Sequence, residues 1–109
     1  MILLSGESRM KKMYHVVLLK FAPHKVHRMA DLATALEGLR QRLPGFLFCT
    51  GGPYSSPEGL NQGYTHGFVM TFTDAGARDG YLTHPDHEKL KQDFLPDLES
   101  VIAFDFEGD

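Results

Sequence analysis

The feature that most constrains the fold is the run "MYHVVLLKF" (residues 13–21), which is apolar on both sides of an extended chain. Successive side chains of a strand point to opposite faces of its sheet. Val16 and Leu18 therefore fall on one face, and Val17 and Leu19 fall on the other. We expect both faces to be buried, so a sheet built on this strand needs a cover on each side.

The rest of the chain predicts the element order β-α-β-β-α-α-β. Apolar residues recur at three- and four-residue steps before Pro44-Gly45, which is the pattern of an amphipathic helix and its stop. Thr73 or Asp74 can cap a short helix toward Tyr81. This order suits a four-stranded antiparallel sheet with helices on one side, an α+β fold. The predicted strands are residues 13–21, 46–52, 64–73 and 100–106. The first of the two longer helices is predicted at residues 23–43, with Val26 in its apolar stripe. The second runs from Pro85 to about Pro96 and carries Leu90, Phe94 and Leu98.

The side of this sheet away from the helices is also apolar. It carries Val16, Leu18 and Val69, which makes water an unsuitable neighbour. A second copy of the same sheet is the simplest cover, and two sheets packed in this way form a barrel. We therefore expect a homodimer.

Charge and composition exclude several classes of partner. The net charge is −3 at pH 7 and the basic residues are scattered, so a nucleic-acid partner is not expected. Apolar runs such as "HVVLL" are far too short to cross a bilayer.

Cys49 is the single cysteine, which excludes an internal disulfide, predicts a buried inert thiol and fits a cytoplasmic location. Residues 1–12 are expected to be a poorly ordered N-terminal extension before a domain at 13–109.

Six histidines raise the question of a metal site. His24 and His27 are three residues apart, as are His84 and His87, and such spacing can bring two ligands together. A proline lies within the second pair, and no cysteine or acidic motif completes either pair. We therefore predict no metal and no other cofactor, with His24 and His27 in solvent and His84 as a helix cap.

Polar side chains converge on the predicted layer between sheet and helices. His15 and His66 lie on the helix-facing sides of their strands, and Tyr81 and His87 approach from the joint between two helices. Partial burial and the start of a helix both disfavour a protonated imidazole, so His87 suits a general base. A Tyr81 hydroxyl can stabilise an oxyanion. A purely structural role remains open for His15 and His66, since buried histidines commonly bond to backbone.

Several stretches together resemble the stress-responsive A/B barrel domain family. They are "HVVLLKF", "LPGF", "GYTHGFVMTF", "YLTHPDHEKL" and "VIAFDF", in the family's order and across residues 13–106. The resemblance implies a ferredoxin-like fold that dimerises sheet to sheet into an α/β barrel. The family includes plant proteins linked to stress or antifungal defence, a plant polyketide cyclase that performs an intramolecular aldol reaction, and many bacterial members without an established activity.

The resemblance to the cyclase also implies site residues. His87 matches its essential histidine, Tyr81 its motif tyrosine and His15 its first-strand histidine. His66 matches the strand histidine of the Tyr-Thr-His motif, and we expect it to contact substrate together with Phe68. Leu36 stands at the position of a further pocket tyrosine, so this chain lacks that hydroxyl and the cyclase's own reaction does not transfer directly.

Three hypotheses for function follow. The first is a cofactor-independent catalyst that enolises, cyclises or isomerises a small apolar or aromatic carbonyl compound, with polyketide-like substrates among the candidates. The second is a non-catalytic stress-response or ligand-binding protein that uses the same pocket. The third is an assembly unit without a ligand.

Overall fold

The computed structural model describes residues 11–109, so the predicted behaviour of residues 1–10 lies outside the part described. No helix in that part is both long and apolar enough to cross a membrane. A short 3-10 turn, Pro23–Arg28, precedes the first α-helix, and another, Leu95–Asp97, follows the last α-helix. The strands are β1 (Lys12–Phe21), β2 (Phe46–Pro53), β3 (His66–Phe72) and β4 (Leu98–Gly108), and the α-helices are α1 (Met29–Arg42), α2 (Ala75–Leu82) and α3 (Pro85–Phe94).

The strands form one antiparallel sheet in the order β2-β3-β1-β4. The helices cover one side of it, and their packing gives the predicted ferredoxin-like α+β fold. In the central strand, His15 lies opposite Met70 of β3 on one side and Asp105 of β4 on the other. The register therefore brings residues from three distant parts of the chain to one point of the helix-facing surface.

The first predicted helix is divided in the structure. Pro23 opens a 3-10 turn in which the Lys25 amide donates to the carbonyl of Ala22, and regular α-helix begins only at Met29. A 3-10 turn has three residues per turn, so side chains in it leave the stripe that an α-helix would form. Val26, predicted to lie in that stripe, is accordingly 42% exposed.

The C-terminal boundary was also predicted imperfectly. Helix α3 ends at Phe94, and Leu98, predicted on the helix, begins β4 instead. Pro96 has no backbone N–H to continue the hydrogen bonds of α3, and Leu95–Asp97 forms a 3-10 turn instead. At the other strand ends, β1 starts one residue earlier than predicted, at Lys12, and β3 starts two residues later, at His66.

The sheet face opposite the helices, here called the outer face, is an apolar surface. Tyr14 stacks on Phe106 with ring centroids 5.0 Å apart, and Phe104 is 65% exposed. Leu18 is 38% exposed, so one chain alone does not bury both faces of β1 as predicted. The large apolar residues of the outer face are Tyr14, Val16, Leu18, Phe48, Val69, Ile102, Phe104 and Phe106.

Candidate active site

A cavity of about 370 Å³ lies between the helix-facing side of the sheet and helices α1, α2 and α3. That volume is in the range of pockets that hold small molecules. Its wall is mostly apolar, with few polar side chains. Five of the six predicted site residues line it, namely His15, Leu36, Phe68, Tyr81 and His87.

Helix α2 carries Tyr81 to the wall of the cavity. Asp74 caps the helix by accepting a hydrogen bond of 2.8 Å from a backbone amide of its first turn. The Tyr81 ring is 2% exposed and packs 5.3 Å from both Phe46 and Phe72 between ring centroids. The burial raises the pKa of the Tyr81 phenol well above its ordinary value. Tyr81 therefore stays protonated and can donate a hydrogen bond.

The Tyr81 hydroxyl is free to make that bond. Among residues 11–109, no buried side-chain oxygen or nitrogen is left both enclosed and unpaired. Within those residues no group hydrogen-bonds to the Tyr81 hydroxyl, and Tyr81 lines the cavity. A buried polar group normally has a partner. A ligand in the cavity is the natural partner here.

Helix α3 orients His87 through the two residues at its start. His84 is the N-cap, as predicted, and its Nδ1 accepts from the Asp86 amide at 3.0 Å, while Pro85 fills the first helical position. The Nδ1 of His87 lies 3.1 Å from the carbonyl oxygen of Leu82, which can only accept. Nδ1 therefore carries the hydrogen, and the neutral ring keeps its lone pair on Nε2.

The surroundings of His87 favour this neutral form. Burial, its largest effect, lowers the pKa of His87 below the ordinary histidine value. The positive charge of Lys91 acts in the same direction, whereas the hydrogen bond to Leu82 and the negative charge of Glu88 oppose it. The Tyr81 and His87 rings lie 4.5 Å apart between centroids and line the same cavity, so one wall carries both a hydroxyl donor and a basic imidazole.

His15 belongs to a chain of hydrogen-bonded polar groups that the sequence did not reveal. Its Nδ1 lies 2.6 Å from Oδ1 of Asp105, and Nη1 of Arg78 donates to the other carboxylate oxygen at 2.6 Å. Because the carboxylate accepts, Nδ1 of His15 carries a hydrogen. Asp105 shares its side of β4 with Ala103, on the face opposite Phe104. That alternation within "VIAFDF" was the available signal for an inward-facing carboxylate.

His66 lies apart from the other predicted site residues and does not line the cavity. Its Nδ1 is 2.9 Å from Oγ1 of Thr65, and its ring packs edge-on against Phe21 with centroids 5.6 Å apart. A smaller depression near the 54–64 loop includes it instead. Strand alternation indicates which face a residue occupies but not how far along the strand a cavity extends.

Leu36 and Phe68 form apolar walls of the cavity and are almost fully buried. Phe68 lies directly over Gly51 of the neighbouring strand. A Cβ on Gly51 would overlap the Phe68 ring and stand 2.5 Å from the carbonyl oxygen of Gly67. The close approach that seats Phe68 therefore requires glycine at this position.

The other polar candidates do not join the site. His24 and His27 are exposed, as predicted. Cys49 is half-buried, and burial, helped by the nearby charge of Glu37, raises the pKa of its thiol to about 11. Such a thiol is almost entirely protonated at neutral pH. Within residues 11–109, no three histidine, cysteine or acidic side chains are grouped as metal ligands would be.

Comparison with known proteins places this chain in a family. The profile of Dabb, the stress responsive A/B barrel domain, matches residues 13–108. The chain belongs to this family. An A/B barrel relative from Arabidopsis thaliana, the stress-response A/B barrel domain-containing protein HS1, is 32% identical over 96 residues, which span 84% of this chain and 85% of HS1. The family resemblance inferred from the sequence is thus confirmed.

Solved structures share the A/B barrel family fold. A dimeric ferredoxin-like protein of unknown function from Jannaschia sp. CCS1 is 28% identical and superposes with a TM-score of 0.82, covering 89% of this chain and 99% of its own. A hydroxynitrile lyase from Passiflora edulis has the same TM-score of 0.82 at 16% identity, covering 92% and 95% of the two chains. At that identity the likeness concerns the fold alone.

Proposed function

We propose that this A/B barrel protein catalyses cofactor-independent proton transfer on a small, largely apolar carbonyl compound. The observation that carries the proposal is the adjacency of Tyr81 and His87, 4.5 Å apart between ring centroids, at the wall of an apolar cavity. One side chain is a protonated donor, and the other is held neutral with its lone pair on Nε2. A base and an oxyanion stabiliser at one wall are the two groups that enolisation needs.

The proposed step transfers one proton and uses no other reactant. Nε2 of His87 removes a proton from the carbon next to the substrate carbonyl, and the electrons of that C–H bond form the carbon–carbon double bond of an enolate. The carbonyl oxygen takes up the negative charge and accepts a hydrogen bond from the Tyr81 hydroxyl. In a cyclisation, the enolate carbon then attacks a second carbonyl of the same molecule, and the oxygen of that carbonyl takes the proton from His87. In an isomerisation, His87 returns the proton to a different atom of the enolate.

His15 assists in this proposal without removing the proton itself. Its ring lies 6.0 Å from the Tyr81 ring between centroids, and it lines the same cavity. The carboxylate of Asp105 fixes its Nδ1–H, which leaves Nε2 as the nitrogen available to a ligand or to the tyrosine hydroxyl. This arrangement suits a group that binds substrate oxygen and keeps the Tyr81 hydroxyl oriented.

The functional form that we propose is a homodimer with the outer faces packed together. The outer face is too large and too aromatic to be explained by isolated surface hydrophobics, and it consists of residues on all four strands. The Jannaschia protein, 28% identical, is dimeric. Two sheets packed in this way would complete the α/β barrel and leave each cavity on the opposite, helix-covered side.

Hydrogen–deuterium exchange on acetophenone tests the catalytic proposal. This aryl ketone exchanges its methyl protons slowly in neutral heavy water, and NMR follows the exchange directly. The wild-type protein should accelerate it, Tyr81→Phe should reduce the acceleration about tenfold to a hundredfold, and His87→Asn should abolish it. His24→Asn is the matched control, because His24 is exposed and should leave the rate unchanged.

A different result would favour a non-catalytic role. The name of HS1 associates this relative with stress response. In a protein with such a role, the cavity described here would need only to hold a ligand. Binding of acetophenone without any exchange, in wild type and variants alike, would overturn the catalytic proposal and support the carrier. Absence of both binding and exchange, across a panel of aryl and alkyl ketones, would overturn the ligand-binding role as well.

A further inference from the structure

Lys91 gives the cavity a charge that the proposed mechanism does not use. It lies on α3 four residues after His87 and lines the same cavity. No aspartate or glutamate lines this cavity among residues 11–109, so its wall carries a lysine and no carboxylate. Its side chain is 41% exposed, so Lys91 lines the wall while its charge stays in contact with solvent.

The present partner of Lys91 is a weak one. Its Nζ lies 3.1 Å from the carboxylate of Glu88, and the two side chains are 41% and 57% exposed. Exposed pairs at this helical spacing contribute little, since solvent screens them and both side chains lose freedom. The ammonium group can therefore exchange Glu88 for an anion that enters the cavity.

The distance to His87 fits a single small ligand. Four residues of α-helix advance about 6 Å, so Lys91 and His87 lie one turn apart on the same side of α3. Lys91 is near enough for its charge to lower the pKa of His87. A molecule with a carbonyl at Tyr81 and His87 and an anionic group a few carbon atoms away spans the two positions.

We infer that the ligand of this cavity is an oxo acid, whose ketone lies at Tyr81 and His87 and whose carboxylate binds the ammonium group of Lys91. The inference rests on the proposed function, since it assumes that the cavity holds a carbonyl compound. It adds the chemical class of that compound. The apolar walls formed by Leu36, Phe68 and their neighbours would hold an alkyl or aryl remainder.

Calorimetric titration with a matched pair of probes tests the inference. Benzoylpropanoate carries an aryl ketone and a carboxylate, and its primary amide has nearly the same shape without the charge. Wild type should bind the acid about threefold to tenfold more tightly than the amide. Lys91→Met keeps the apolar stem and should remove this preference by weakening the acid alone.

Two further variants sharpen the test. Lys89→Met removes a lysine of the same helix that lines a separate groove, and it should leave the preference for the acid intact. Glu88→Gln removes the competing carboxylate and should tighten binding of the acid without affecting the amide. The acid should also raise the His87 pKa followed by NMR, because it brings a negative charge near the ring, whereas the amide should not.

The possible results separate the two proposals. Equal affinity of wild type for acid and amide, or equal weakening of both by Lys91→Met, would overturn the oxo-acid inference and leave the cavity proposal standing. Failure of both probes to bind would overturn both. Preferential binding of the acid without exchange of its ketone-adjacent protons would support Lys91 as the anion site and count against catalysis.

Discussion

His15 and Asp105 lie opposite one another on neighbouring strands, with Nδ1 and Oδ1 only 2.6 Å apart. The second oxygen of the carboxylate accepts from Arg78, so β1, β4 and helix α2 meet at one partly buried group of hydrogen bonds. Helix α2 also carries Tyr81. The Arg78–Asp105–His15 chain therefore fixes the position of the tyrosine relative to the histidine on the sheet.

Asp105→Asn should lower the free energy of unfolding by about 1–3 kcal/mol, because it removes the charge shared by two partly buried hydrogen bonds. Asp79→Asn is the matched control. Asp79 also bonds to Arg78, at 2.9 Å, but its side chain is 64% exposed, so its loss should cost less than about 0.5 kcal/mol. Urea denaturation measures both. Equal losses in the two variants would contradict the structural importance of the His15–Asp105 contact.

His87 should make stability depend on pH in a defined direction. Its pKa is lowered in the folded state, chiefly by burial, so the unfolded chain binds a proton more readily. The contribution of neutral His87 to the free energy of unfolding is therefore fully present above the unfolded-state pKa of about 6.5. It is lost as the pH falls from that value toward the lower folded-state pKa.

His87→Asn should flatten this dependence, since asparagine keeps an amide donor near the Nδ1 position but does not titrate. Urea midpoints measured from about pH 7.5 to about pH 5 would show it. His24→Asn, at an exposed position, should retain the wild-type slope. A slope that persists unchanged in His87→Asn would show that another group is responsible.

Phe104→Glu should convert the proposed dimer to single chains and lower its melting temperature. Phe104 is 65% exposed on the outer face, where a carboxylate would be buried without a partner if two sheets pack together. Leu60→Glu tests the same change at an even more exposed residue, 73%, in the loop away from the sheet, and should remain dimeric. Sedimentation equilibrium distinguishes the two. A wild-type protein that sediments as one chain at micromolar concentration would refute the pairing.

Gly51→Ala should destabilise the protein by about 1–3 kcal/mol and weaken ligand binding, because its methyl group would displace Phe68 toward the cavity. Gly80→Ala is a contrasting change on α2, where a Cβ meets no atom within 4 Å. It should stabilise the fold by up to about 1 kcal/mol. Thermal unfolding with and without acetophenone would compare them. A neutral effect of Gly51→Ala would mean that Phe68 can shift freely.

Local patterns were sufficient to predict most of the fold. The alternation in β1 correctly separated the cavity-facing Val17 and Leu19 from the outer Val16 and Leu18. The caps supplied by Asp74 and His84 were also predictable, because an N-cap depends on residues adjacent in sequence. The errors in the helices were confined to places where a 3-10 turn containing proline adjoins an α-helix, and the starts of β1 and β3 differed from prediction by one and two residues.

The site was harder to predict because it depends on the register between strands and on how far the cavity extends between the sheet and the helices. Asp105 is separated from His15 by 90 positions, and only the pairing of β1 with β4 brings them together. Lys91 reads as a solvated helix residue until the packing of α3 leaves a cavity beneath it. His66 occupies the expected face of β3 yet lies beyond the end of the cavity. Such facts follow from tertiary packing rather than from periodicity.

The aromatic outer face has a consequence for the cell as well as for the molecule. Under the proposed pairing, each working unit needs two copies, so mass action makes the fraction of assembled protein fall as its abundance falls. Halving expression would then remove more than half of the assembled sites when the concentration is near the dissociation constant. The concentration of the protein would then set the assembled fraction, and unpaired protomers would expose their aromatic outer faces to solvent.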